Sequence, residues 1–171
     1  MKRTENILRI LFAAYLVFLV WAILFKFGFS LEAIRGERVL NLMPYYNDGR
    51  AALNVILTEI RGNVIIFIPF GLYLYLMGRR NLLKDALLIA GFSFSQEALQ
   101  YLFACGVTDI TDLINNTAGG ILGYALGALL LALFHRKDQA IRFLTGLSTV
   151  GTFTMYLGIL LTNNFRIFVV F

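Results

Sequence analysis

The chain has 171 residues, of which 59% are hydrophobic and 15% charged, against about 45–50% apolar and about 25% charged in an ordinary soluble domain. That balance excludes a water-soluble globule and points to an integral membrane protein. Lys and Arg outnumber Asp and Glu by 15 to 10, but they cluster at the ends of apolar stretches, where they anchor helices, so nucleic acid is excluded as a partner.

The first apolar stretch, residues 7–25, holds about 19 residues, close to what a bilayer crossing needs. It is longer than the apolar core of a signal peptide and no small-x-small cleavage site follows, so it reads as a retained transmembrane helix. A long extracellular loop, residues 26–61, comes next. Within it Asn41-Leu-Met-Pro-Tyr-Tyr reads as an irregular turn, because Pro44 turns Met43 away from helical geometry. Downstream, Asp48 can cap a helix in which Leu53, Ile56, Leu57 and Ile60 recur at helical spacing, with Arg50, Asn54, Thr58 and Arg61 largely elsewhere around it. This predicts an amphipathic helix lying on the outer membrane surface, or the same helix packed over the bundle as a cap.

Four further spans are predicted over 62–77, 86–104, 114–134 and 143–161. Pro69 and Gly71 predict a bend in the second span, which neighbouring helices can accommodate. Lys2, Arg3 and Arg9 flank the first span; Arg79, Arg80 and Lys84 lie between the second and third; Arg136, Lys137 and Arg142 lie between the fourth and fifth. The segment Cys105–Leu113 has no Lys or Arg. This asymmetry places the N-terminus in the cytoplasm and, after five crossings, the C-terminus outside. Lys26, Arg35, Arg38, Arg50 and Arg61 of the first loop run against it, among Glu32, Glu37, Asp48 and Glu59. The predicted fold is an all-α polytopic membrane helix bundle, a single domain over 1–171, with about five transmembrane helices plus an outer-surface amphipathic helix in the first loop.

One acidic side chain lies deep within a span: Glu97, which stands 12 residues from both Asp85 and Asp109. Insertion scales put a carboxylate at the helix centre at about 2.5–3.5 kcal/mol, so Glu97 is expected to face a partner or a wet cavity. Ser93, Gln100 and Tyr101 share its helical face. The predicted topology brings Asn63, Glu97, Gln100, Asp109, Asp112 and Asn116 together in the outer leaflet. Taken together they favour a ligand-binding polar pocket. The competing structural reading has Asp112 capping the fourth helix, Asn116 and Gln100 joining helices, and Glu97 a neutral, satisfied core acid.

Several chemistries drop out. Cys105 is the sole cysteine and forms no intrachain disulfide. His135 is the sole histidine and falls in a cytoplasmic loop, which excludes a Ser–His or Cys–His pair at the pocket and leaves zinc without ligands. Oxygen ligation of Mg²⁺ or Ca²⁺ by Asp109, Asp112 and Glu97 is chemically open, but no metal and no cofactor is assigned. If the protein is an enzyme, Glu97 is its proton-transfer group and Asp109 and Asp112 are metal ligands or substrate positioners. Gly119, Gly120, Gly123 and Gly127 form a small-residue stripe that predicts close helix packing inside the bundle, with a homo-oligomer seam through Gly119, Gly123 and Gly127 as the alternative.

Four segments in order carry a resemblance: Asn41-Leu-Met-Pro-Tyr, Gly62-Asn-Val-Ile-Ile-Phe-Ile-Pro-Phe-Gly71, Glu97-Ala-Leu-Gln100, and Asp109-Ile-Thr-Asp-Leu-Ile-Asn-Asn-Thr-Ala-Gly-Gly120 with Gly123-Tyr124. Over residues 41–134 the chain resembles the VanZ-like family of membrane proteins. The family's motif positions fall on Asn41, Pro44, Asn63, Pro69, Gly71, Glu97, Gln100, Asp109, Asp112, Asn116 and Gly119, and Tyr45 stands where the family usually has Phe. The resemblance implies a role in resistance to glycopeptide antibiotics, teicoplanin in particular. The expected partner is a membrane lipid or lipid-linked cell-wall precursor, or the antibiotic itself. A membrane enzyme modifying a lipid-linked envelope precursor, and a small proton-coupled exporter, are the alternatives.

Overall fold

The computed structural model describes residues 2–25, 38–46, 53–78, 81–104, 107–134 and 137–168. They form five helices and two short strands: α1 (Lys2–Phe25), β1 (Val39–Asn41), α2 (Leu53–Leu76), α3 (Leu82–Phe103), β2 (Val107–Asp109), α4 (Ile110–Leu133) and α5 (Lys137–Phe168). The all-α expectation holds, with one addition: β1 and β2 pair in parallel, Val39 opposite Val107, Leu40 opposite Thr108 and Asn41 opposite Asp109. Three-residue strands far apart in sequence leave no alternating pattern to read.

The segment expected to lie on the membrane surface is helical, but it is not a separate helix. Leu53–Ile60 continues without a break into the next span, and α2 runs as one helix of 24 residues through Pro69. The Asp48 cap and Arg50 lie outside the described residues. Gly71 has a role other than loosening the helix: a Cβ there would collide with the backbone carbonyl of Gly120 on α4.

That collision belongs to a series. A Cβ on Gly119 would meet the Val64 carbonyl and one on Gly123 the Ile68 carbonyl, while Gly127 sits against the Tyr75 ring. Three glycines of the stripe, Gly119, Gly123 and Gly127, thus face α2 of the same chain, advancing one helical turn on each helix from Gly119 to Gly123, while Gly120 faces the Ile89 side chain of α3. The two helices therefore run parallel, with their N-termini at the same end. Small residues let the backbones approach this closely, and α2 with α4 is the most extensive helix pair among the described residues.

The apolar core lies toward the other end of the bundle. Leu8, Tyr15 and Leu19 of α1, Phe67, Phe70, Tyr73 and Leu74 of α2, Ile89 of α3 and Leu144 of α5 form one buried cluster. Phe92 meets Phe70 edge to face with ring centroids 5.2 Å apart, and the Tyr15 hydroxyl donates to the Ile66 carbonyl at 2.6 Å. Such edge-on aromatic pairs add about 0.5–1.5 kcal/mol beyond area burial.

Burial runs in the sense a bilayer demands. Asp85, Ser93, Gln96, Glu97, Gln100, Asn115 and Asn116 are buried, while Ile10, Val17, Ile65, Leu87, Phe94 and Leu133 face outward. In water this would expose apolar surface and bury polar groups; in lipid it hides the polar groups among helices. Among the described residues three stretches, Glu5–Ile23, Leu53–Leu76 and Ile110–Leu133, are long and apolar enough to cross a membrane.

Candidate functional site

The C-terminal ends of α1 and α3 and the N-terminal ends of α2 and α4 meet at one end of the bundle, where the β1–β2 strap crosses them. The strap is fixed by side chains on both strands. Asn41 donates from Nδ2 to Asp109 Oδ2 at 2.9 Å, and its own Oδ1 accepts the Met43 N–H at 3.2 Å, an Asx-type turn that starts the bend at Pro44. Arg38 donates to the Leu102 carbonyl at 3.4 Å, near the end of α3.

Asp109 joins strand to helix. Its backbone is extended (φ −126°, ψ 125°) and its Oδ1 accepts the Thr111 N–H at 2.7 Å, which makes it the N-cap of α4. The cap is therefore Asp109, not Asp112 as the structural reading of the sequence had it. Asp112 instead accepts from Nδ2 of Asn63 across the α2–α4 contact. Behind the cap, Glu97 Oε2 accepts the Asp109 N–H at 2.9 Å, and the Thr108 hydroxyl donates to the Glu97 carbonyl at 3.2 Å. One buried carboxylate on α3 thus holds the residue that starts α4.

Tyr45 is the third fixed point. It sits at φ 56°, in the left-handed region that bulky residues rarely adopt. Its N–H donates to Thr111 Oγ1 at 2.9 Å and its hydroxyl to Asn115 Oδ1 at 3.2 Å, so two bonds to α4 hold the unfavourable backbone. The second of these is one that Phe at this position could not make.

Between the strap and the first turns of α2 and α4 lies a cavity of about 500 Å³, within the range of small-molecule sites. Asn41, Tyr45, Tyr46, Glu59, Asp109, Thr111 and Asp112 supply its polar and aromatic wall. Val39, Leu40, Ile56, Ile60 and Val107 complete it.

Of the six residues expected from the sequence, Asp109 and Asp112 line this cavity. Asn63 and Glu97 lie behind them as the hydrogen-bond partners just described. Asn116 and Gln100 are set deeper: Asn116 donates to Ser93 Oγ at 2.9 Å and joins α4 to α3, and Gln100 donates to the Ile23 carbonyl at 2.9 Å and joins α3 to α1. The wall residues that sequence reasoning missed as site residues are Asn41, Tyr45, Tyr46, Glu59 and Thr111. Asn41 is legible in the sequence only as a motif position, and Glu59, one turn before Asn63 on α2, is within reach of that spacing. Among the described residues no group of three or more His, Cys, Asp and Glu side chains is placed to hold a metal ion. The Asp109, Asp112 and Glu97 trio is drawn instead into separate hydrogen bonds with the protein.

The fold and burial define a helical membrane protein with a polar pocket at one end of its bundle. The chain belongs to the VanZ/LLP1 family, whose model matches residues 12–135. It is similar to Protein VanZ of Enterococcus faecium, with 40% identity over 122 residues, covering 70% of this chain and 72% of that protein. No solved structure matches it.

Proposed function

We propose that this chain is an integral protein of the bacterial plasma membrane that contributes to resistance against glycopeptide antibiotics, teicoplanin in particular, by binding a lipid or lipid-linked head group in the strap cavity. In this reading all five helices cross, the N-terminus is cytoplasmic, the C-terminus is outside, and the strap end lies at the outer leaflet, where cell-wall precursors are exposed. The observation that carries it is the cavity itself, held by a strap whose own hydrogen bonds keep Asn41, Tyr45 and Asp109 in place. Family membership supports the resistance role. Binding rather than catalysis is favoured because Glu97, the acid best suited to proton transfer, stands behind the Asp109 amide and not in the cavity wall.

The test is glycopeptide susceptibility of a strain expressing wild type, Asp112→Asn or Glu97→Gln at matched membrane levels. Wild type raises the inhibitory concentration of teicoplanin and Asp112→Asn abolishes the rise. A wild type that protects while both variants protect equally well overturns the pocket's part in the phenotype. Unchanged precursors by mass spectrometry, with and without the protein, are expected for a binder; a modified precursor overturns that choice in favour of an enzyme.

A further inference from the structure

The strap is inverted relative to a loop in water. Over residues 39–46 its hydrogen-bonding groups turn into the protein: Asn41 donates to Asp109, and Tyr45 donates to Thr111 through its N–H and to Asn115 through its hydroxyl. Its apolar and aromatic side chains, Val39, Leu40, Leu42, Met43, Tyr45 and Tyr46, are exposed, Leu42 and Met43 by 66% and 62%. A contiguous apolar surface of this kind marks a place where something other than water is met.

Lipid is the partner that fits. The patch does not stop at the strap: Leu102 and Phe103 at the end of α3 and Leu53 and Val55 at the start of α2 are exposed at the same end of the bundle. It therefore continues the outward apolar surface that the helices present to the bilayer. Tyr45, Tyr46 and, on α3, Tyr101 are exposed, and amphipathic rings concentrate where acyl chains give way to head groups. Arg38, exposed at the start of the strap, reaches the Leu102 carbonyl at 3.4 Å; a charged head beside apolar surface suits the same boundary. The backbone limits the depth. A two-stranded ladder cannot satisfy the outer edges of its own strands, and open edges are not tolerated in hydrocarbon.

We infer that the exposed surface of the strap is seated in the head-group layer of the membrane at that end of the bundle, with Leu42 and Met43 touching the uppermost part of the acyl chains. This goes beyond the head-group reading above and needs only that the bundle spans a membrane. Leu40, Tyr45 and Tyr46 belong both to this surface and to the cavity wall, so the cavity opens in the same layer, and an amphiphile enters it from the leaflet without passing through water.

The test is depth-dependent fluorescence quenching of the full chain in nanodiscs. Trp21 is the sole tryptophan, so Trp21→Phe gives a silent background. Leu42→Trp and Met43→Trp are each added to it, with Ile65→Trp near the middle of α2 as the deep reference; all three sites are exposed. The disc lipid is phosphatidylcholine brominated either near the head group or near the chain ends, and iodide is added to the water. Leu42→Trp and Met43→Trp are expected to lose most of their emission to the shallow bromine and little to the deep bromine or to iodide, while Ile65→Trp is quenched best by the deep bromine. Quenching of the strap variants by iodide and not by lipid would overturn the seating and leave the cavity to ligands arriving from water. Quenching by neither would overturn it in favour of a protein cover, such as a second copy of the chain. Strap variants quenched best at the chain ends, as Ile65→Trp is, would overturn the head-group depth.

Discussion

Glu97 on α3 accepts the backbone N–H of Asp109 through Oε2 at 2.9 Å, across 12 residues of sequence, and so places the first residue of the strap-to-α4 junction. Gln at position 97 keeps a carbonyl oxygen for this bond while removing the charge. Ala removes the acceptor and leaves the part-buried Asp109 N–H unpaired, at about 1–3 kcal/mol. Thermal unfolding in detergent is expected to rank wild type and Glu97→Gln close together, with Glu97→Ala clearly below. Equal loss in the two variants would show that the charge, not the bond to Asp109, is what Glu97 contributes.

The glycine contacts predict a steep contrast within one residue type. Gly123→Ala and Gly71→Ala drive a methyl into backbone carbonyls that cannot turn away, so α2 and α4 must separate, with about 3 kcal/mol or more lost. Gly91→Ala and Gly146→Ala meet nothing within 4 Å; there the methyl improves helix propensity by up to about 1 kcal/mol. Monodisperse yield and unfolding temperature of the four variants separate the two pairs. Stability of Gly123→Ala matching that of Gly91→Ala would remove the close α2–α4 approach.

How far the sequence led differs from element to element. The helices of the bundle were legible because long continuous apolar stretches favour helix, and three of them are long and apolar enough to cross a membrane among the described residues. The unity of α2 was hidden because Asn54, Thr58, Glu59 and Arg61 give its first turns a surface-like pattern and Gly62 follows them, yet the helix runs through Gly62 into Val64 and its successors. The glycine stripe announced close packing, but a stripe does not name the helix that fills it. At the site, the structural reading of the sequence makes Asp112 the cap of the fourth helix, three residues beyond the actual cap, Asp109. Asn63, some fifty residues away and on another helix, takes Asp112, and no local pattern contains that fact. The strap was illegible for the same reason: its pairing of Asn41 with Asp109 is wholly a tertiary event.

Tyr45 and Asn115 provide a direct measure of what the tyrosine hydroxyl adds. Tyr45→Phe leaves Asn115 Oδ1 without its donor, and the Asn115 Nδ2 already has no protein acceptor, so a loss of about 1–3 kcal/mol is expected. In an Asn115→Ala background the same substitution is expected to be nearly neutral, since the group it would orphan is gone. A double-mutant cycle on unfolding free energy gives the coupling, about 1–3 kcal/mol for this pair. Additive effects would show that the 3.2 Å contact contributes nothing.

Asn63 and Asp112 allow fold and site to be separated. Asn63→Asp sets two carboxylates against each other across the α2–α4 contact, where neither has the amide donor the pair depends on, and the protein is expected to lose about 1–3 kcal/mol. The exchange Asn63→Asp with Asp112→Asn restores one amide and one carboxylate, and folded yield is expected to recover. The cavity does not recover with it, because Asp112 lines the cavity wall and Asn63 does not. In the exchanged protein the carboxylate has moved behind the wall and an amide faces the ligand. Normal folded yield with lost glycopeptide protection is therefore the expected result, measured in the same strain by membrane abundance and inhibitory concentration. Full protection by the exchanged protein would mean that Asp112 matters only as a helix–helix partner.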